Sequence, residues 1–230
     1  MTYTLAIDTT LGACSAALTK GTKLLSFQRE LRARGHVERL LPMIDEVCLV
    51  SNINVSDLDQ IAVTVGPGTF AGVRIGLAAA KGMGLALDIP LIAITTLEVI
   101  AYQYACDHKD FSGKMAVAID ARRGEIYLQC FKVNNGACIA IGEPSAVPIA
   151  LLSSVFKDDV ILIIGSACEV LKDLNINFMH GYECPDAVYV AKMSIGLLER
   201  AAIGDDISPL YLRAPDAVKP APLNMIVRGD

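Results

Sequence analysis

Two stretches decide the fold: "LAIDTTLGACSAAL" at Leu5–Leu18 and "VAIDARRGEIYLQC" at Val117–Cys130. Each is an apolar strand ending in Ala-Ile-Asp, then a glycine four residues after the aspartate, then a second apolar strand. Asp8 and Asp120 are therefore equivalent positions, and an internal repeat outranks the reading of any single element. Working outward from the first copy, alternation and turn residues predict strands at Thr4–Asp8, Ser15–Leu18 and Lys23–Gln28, with "KG" at Lys20–Gly21 turning a hairpin. A helix over Val37–Leu49, a strand over Gln60–Val65, a helix over Gly72–Leu87, a strand over Pro90–Ile94 and a helix over Thr96–Ala105 follow. The pattern restarts after "KDFSGK" at Lys109–Lys114. Strands are expected at Met115–Asp120, Glu125–Val133 and Cys138–Ile141, then a loop holding Pro144 and Pro148, a short helix, the strand Val160–Ile164 and a last helix over Asp186–Ala202.

The class this predicts is α/β, with duplicated ribonuclease-H-like lobes as in the actin-like ATPase (ASKHA) architecture. The first lobe is expected over 1–108 and a smaller second lobe over 109–185. The helix over about 186–204 is free to pack back on the first lobe. An extended tail over 205–230 carries Pro209, Pro215, Pro220 and Pro222.

Composition bounds the function. The chain has 230 residues and a net charge of −5, which argues against strong nucleic-acid binding by this chain alone, because such binding rests on neutralising phosphates. "RELRARGH" at Arg29–His36 is a local exception, read as a solvated loop or as an RNA contact within a larger assembly. The most apolar run, Ile75–Ile94, carries Lys81, Asp88 and Pro90, so no membrane partner is expected. The start "MTYTLAIDTT" lacks a basic, apolar leader, and the seven cysteines are odd in number and form no C-x-x-C. A cytoplasmic setting with reduced thiols is expected.

In this architecture the two strand-end aspartates face a nucleotide's metal and phosphates across a cleft. A working phosphate loop needs small residues, so that backbone N–H groups reach the phosphate oxygens. Here Asp8 is followed by Thr10 and Gly12, whereas Asp120 is followed by Arg122, whose long side chain stands where backbone should approach. On the adenosine side "ILIIGSA" at Ile161–Ala167 offers one glycine, Gly165. Two readings stand side by side: a degenerate site with weak ATP or ADP binding, or aspartates that merely cap their own turns. No cofactor is expected to be required.

"VTVGPGTFAGVRIG" at Val63–Gly76 is a second glycine-rich strand-to-helix turn. It lacks the Lys-Ser/Thr of a Walker loop and the acidic residue that a dinucleotide site places after its next strand. Downstream, Gly72, Gly76, Ala80 and Gly84 form one small-residue stripe. Each glycine costs a helix roughly 1 kcal/mol against alanine, which makes sense where another backbone comes close. The preceding helix has an apolar stripe of Val37, Leu40, Leu41, Ile44, Val47 and Cys48, with Pro42 inside it. Both helices are expected either to pack on their own sheet or to meet a partner. Apolar Met43 and Leu49 lie off the main stripe, which favours the partner.

"LAIDTT", "GHVERLLPMI", "VTVGPGTFAGVRIGLAAAKG", "DARRGEIY" and the late "PLYLR" together resemble the bacterial TsaB (YeaZ) family of tRNA threonylcarbamoyladenosine biosynthesis. The likeness runs over most of the chain and weakens across Pro144–Pro185 and after Arg213. It implies a non-catalytic subunit that pairs with a TsaD-type catalytic paralogue, works beside a TsaE-type ATPase, self-pairs as a homodimer, and meets tRNA only through the complex. Carried onto this chain, the interface falls on His36, Val37, Leu40, Leu41 and Ile44 and on Gly72, Gly76, Ala80 and Gly84. The catalytic paralogue carries an H-x-x-x-H metal pair on the first of these helices. Here His36 is followed four residues on by Leu40, Glu38 points elsewhere on the helix, and no metal site is expected. The competing functions are an autonomous ATP-using phosphotransferase, motivated by the two aspartate loops, and a peptidase, for which no G-x-S-x-G is present.

Overall fold

A computed structural model of the chain describes residues 2–152, 160–173, 176–202 and 207–213. The repeat in the sequence becomes a repeat in topology. One sheet runs β5-β4-β1-β2-β3, built from β1 (Tyr3–Asp8), β2 (Ala13–Lys20), β3 (Lys23–Leu31), β4 (Gln60–Thr64) and β5 (Leu91–Ile94). The other runs β10-β9-β6-β7-β8, built from β6 (Ser112–Arg122), β7 (Glu125–Asn134), β8 (Ala137–Pro148), β9 (Val160–Ile164) and β10 (Phe178–Met179). In each, the strand bearing the aspartate pairs antiparallel with its hairpin partner and parallel with a later strand. A short β11 (Ala201–Ala202) extends the first sheet beside β5.

Alternation along β1 decides what covers each face. Leu5 and Ile7 point into a core shared with α1 (His36–Val50) and α2 (Phe70–Leu87). Ala6, with Ala17 and Ala62, points the other way, onto Val99 of α3 (Thr96–Asp107) and onto Ala187, Val190 and Ala191 of α4 (Ala187–Ser194). The alanines let α4 lie close on the first sheet, where Ala187 N donates to Ser15 Oγ at 3.0 Å. Leu97, Ile100, Ala101 and Tyr104 of α3 pack on Met115, Val117 and Phe131 of the second sheet, so α3 lies between the two sheets. A further core covers that sheet's far side with Ile126, Leu128, Ile163 and Leu171.

Three elements depart from the sequence reading. The last helix ends at Ser194, whose Oγ donates back to Ala191 O; Gly196 then turns the chain, and a 3-10 turn at Leu198–Arg200 leads into β11. The expected loop at Pro144 and Pro148 belongs to β8, an edge strand, where a missing N–H leaves no ladder bond unmade. Phe70–Leu87, not the Ile75–Ile94 window, is long and apolar enough to match a bilayer span, yet its inner side packs on the sheet. Most of the short helix expected before Val160, and Pro215, Pro220 and Pro222, lie outside the described residues.

Candidate functional site

The carboxyl ends of β1, β4 and β6 carry the candidate residues, where doubly wound sheets place their ligands. Asp8 is fully buried. Its Oδ1 accepts from Thr64 Oγ1 at 2.5 Å, Thr10 Oγ1 at 2.7 Å and Thr10 N at 3.2 Å, while Oδ2 has no partner. Burial dominates the three hydrogen bonds and pushes the carboxyl up to about 6, with the nearby Asp186 adding to the rise. Asp120 makes the same turn: Arg122 N donates to its Oδ1 at 2.8 Å. Asp120 N is held by Ser166 Oγ at 3.1 Å.

A nucleotide's phosphates would need the amides of both loops. The amide two residues after each aspartate is turned inward onto that aspartate, the Asx turn of a strand end. Gly12 packs against the Cys184 thiol, whose Sγ would stand 3.6 Å from a Cβ there. Gly165 has φ +110 and lies so tightly against Ala118 O that it packs two strands rather than opening a cradle. Arg122, at φ +63, projects an 86% exposed side chain 3.6 Å from Asp120. Arg123 (φ +56) and Gly124 (φ +77) complete the hairpin tip; a non-glycine residue held there costs roughly 1–2 kcal/mol. Asp8, Thr10, Gly12, Asp120, Arg122 and Gly165 thus form capped turns whose donors do not fit a phosphate cradle. Among the described residues no three His, Cys, Asp or Glu side chains gather as metal ligands.

The helix residues divide differently from the expected interface. Gly72, Gly76, Ala80 and Gly84 are buried on the chain's own sheet, a correction to their placement on a partner-facing side. A Cβ on Gly72 would collide with Thr9 O; on Gly76 it would stand 2.7 Å from Thr9 Oγ1, and on Gly84 2.8 Å from Leu91. The backbone that approaches the stripe is the Asp8 turn itself: Thr9 Oγ1 donates to Gly72 O at 2.6 Å and Thr69 N to Thr10 O at 2.8 Å. Leu40, Ile44 and Met43 are likewise in the core, Met43 because position 43 sits between Leu40 and Val47 on one helical face. His36 is buried, and its Nε2 donates to Leu11 O and Ala13 O at 3.1 and 3.2 Å, which ties α1 to the first hairpin. Outward stand Val37, Leu41, Leu49 and Val50 of α1, with Leu49 80% exposed, and Ala71, Ala78, Gly82, Leu85 and Ala86 of α2.

Sequence reasoning missed four participants. Thr64 holds Asp8, and its place at the end of the strand beside β1 was a readable signal. Phe70, Arg74 and Tyr211 cluster at the start of α2, joined by a segment 137 residues away, which no local pattern announces. Two of the three arginines of "RELRARGH" are engaged internally: Arg29 pairs with Asp186 at 3.6 Å, and Arg32 donates to Gly35 O at 2.8 Å, while Arg34 is exposed.

Two duplicated α/β lobes, each with an aspartate that ends its central strand and caps its own turn, define an actin-like ATPase fold. A family model described as TsaD, tRNA N6-adenosine threonylcarbamoyltransferase, matches residues 28–155, more than half of the chain. The chain belongs to that family, in its TsaB (YeaZ) branch. The tRNA threonylcarbamoyladenosine biosynthesis protein TsaB of Escherichia coli K12 is 40% identical over 124 residues, 54% of this chain and 52% of that protein. The chain thus spans about half the length of the curated relatives it matches. Among solved structures, YeaZ from Pseudomonas aeruginosa superposes with a TM-score of 0.80 at 27% identity, covering 92% of this chain and all of that one. A Pseudomonas aeruginosa protein described as similar to peptidase YEAZ gives 0.82 at 27% identity, over 93% of this chain and all of that one.

Proposed function

We propose that this chain is a non-catalytic subunit of a tRNA threonylcarbamoyladenosine synthesis complex in the cytoplasm, docking and activating a TsaD-type transferase beside a TsaE-type ATPase. One observation carries the reading: the outer sides of α1 and α2, which pack against each other on one sheet face, present Val37, Leu41, Leu49, Ala78, Gly82 and Leu85 to solvent. Exposed apolar side chains gathered on two neighbouring helices mark an interaction site. Small residues on its α2 side let a partner helix come near, as in a helical bundle. The same surface is self-complementary enough to pair two copies when the transferase is absent. The chemistry of the interior agrees. The one histidine of α1 is committed to backbone carbonyls, and its i+4 neighbour is Leu40, so the helix lacks a metal-binding pair.

Drop-out reconstitution tests this. TsaC-, TsaD- and TsaE-type proteins, tRNA, ATP, threonine and bicarbonate are combined with and without the chain, and modified adenosine is counted by mass spectrometry. Modification should require the chain. It should fall at least tenfold with Leu41→Asp/Ala78→Asp and stay within twofold with Asp8→Asn. Equal modification without the chain overturns the reading. Loss of phosphotransfer on Asp8→Asn would instead favour an autonomous ATP-using enzyme.

A further inference from the structure

The hairpin tip between β6 and β7 is the feature that docking through α1 and α2 leaves unused. Its two arginines adopt left-handed backbone, where glycine or asparagine would close the turn with less strain. The turn therefore does not call for arginine. Both side chains lie on the surface, Arg122 with its guanidinium 86% exposed.

The strap of residues 207–213 brings a second group beside the tip. Phe70 and Tyr211 stack with ring centroids 5.8 Å apart and 25° between planes, and both are exposed. The Arg74 guanidinium lies 3.7 Å over the Phe70 ring, and its Nε donates to Tyr211 Oη at 2.8 Å. Two residues on, Arg213 donates to Ala121 O at 3.3 Å, next to Arg122. Tyr211 and Arg213 are two residues apart on the strap, so one segment touches both the rings and the tip. The surface these groups form carries Arg74, Arg122, Arg123 and Arg213, with Arg122 3.6 Å from Asp120 and Arg213 3.1 Å from Glu125, in a chain of net charge −5.

We propose that this face binds a single-stranded or looped segment of RNA. Bases stack on the exposed Phe70–Arg74–Tyr211 layer, and phosphates meet Arg122 and Arg123. Flat rings layered with a guanidinium offer a π-surface that every base matches and an acidic peptide does not. Guanidiniums at the rim supply the phosphate contacts that position a strand. The inference rests on the proposed role in tRNA modification and adds a direct contact to it.

The test uses the assembled complex with its TsaD-type partner, checked by size-exclusion chromatography, and fluorescein-labelled tRNA read by anisotropy from 50 to 200 mM salt. Arg122→Gly/Arg123→Asn suits the turn, so the fold is retained. It should weaken binding about tenfold at 100 mM salt and lower the slope of log K against log salt by about 1–2, at 0.7–0.9 per phosphate contact. Phe70→Ala should weaken binding roughly five- to a hundredfold with the slope unchanged, as loss of one stacked base does. Unchanged affinity and slope in both variants overturn the proposal. Loss of assembly in Arg122→Gly/Arg123→Asn makes the face a protein interface and overturns it too. If the wild-type complex does not assemble, the docking reading fails, and the same titration on the chain alone decides the RNA contact.

Discussion

Asp8 ends a strand whose interior residues are all shielded from water, and its Oδ2 is a buried acceptor with nothing to accept from. A proton resolves that conflict, which is why burial lifts the carboxyl to about 6. The sign follows from linkage. A carboxyl raised above its unfolded value of 3.8 contributes stability that is fully present below that value and lost as pH rises through about 6. Asp8→Asn has no such titration. Urea melts at pH 4, 6 and 8 should show the variant gaining on the wild type by up to about 3 kcal/mol across that range; parallel profiles would mean that Oδ2 is solvated. The glycines of α2 provide a sharper contrast. Gly72→Ala drives a methyl into Thr9 O and should lose more than about 2 kcal/mol, an overpacking cost. Gly82→Ala meets nothing within 4 Å and should gain about 0.5–1 kcal/mol in the same urea melts. Equal effects at the two sites would refute the packing described for the stripe.

At the scale of elements, periodicity identifies which residues share a side of a helix but not which side is inside. The small-residue stripe was legible as a close approach; the approaching backbone was not, because Thr9 and Thr10 reach it only after β1 and β4 have paired. The outer sides were legible in part: Leu49 stands off the stripe, whereas Val37 and Leu41 fall on it together with Leu40 and Ile44. Val37, Leu41 and Leu49 are as apolar as the buried Leu40 and Ile44, and only the sheet's position separates them. The duplicated hairpins, by contrast, could be read directly, since a strand ending in aspartate before a short turn repeats letter by letter. The division of α1 makes a testable claim. Leu41→Asp should leave the melting temperature within about 2 °C, because surface substitutions seldom exceed 0.5 kcal/mol. It should weaken capture of a TsaD-type partner by at least thirtyfold, the scale of an interface hot spot. Leu40→Asp should unfold the lobe. A Leu41→Asp chain that still binds its partner at full strength would move the docking surface elsewhere.

At the scale of the whole molecule, two of the junctions between the lobes among the described residues can be tested separately. The first junction is α3, whose apolar side packs on the second sheet while Val99 faces α4 and the first. The second is the strap. Leu210 N donates to Val65 O at 2.7 Å on the first lobe, and three residues later Arg213 pairs with Glu125 at 3.1 Å and donates to Ala121 O on the second. The strap therefore crosses between the carboxyl ends of both sheets. A strap that ties the lobes suits the rigid docking platform proposed above. The Arg213–Glu125 pair is partly screened by solvent, so its coupling should be modest, about 0.5–1 kcal/mol in a cycle of Arg213→Ala and Glu125→Gln. The informative readout is local. In Arg213→Ala, amide exchange should accelerate at both ends of the strap's span, around Val65 and around Ala121–Glu125, while the buried strands β1 and β6 keep wild-type protection. Acceleration confined to residues 207–213 would mean that the strap rests on the lobes without holding them, and lobe geometry would then depend on α3 and the core it shares with Leu11 and Ala13.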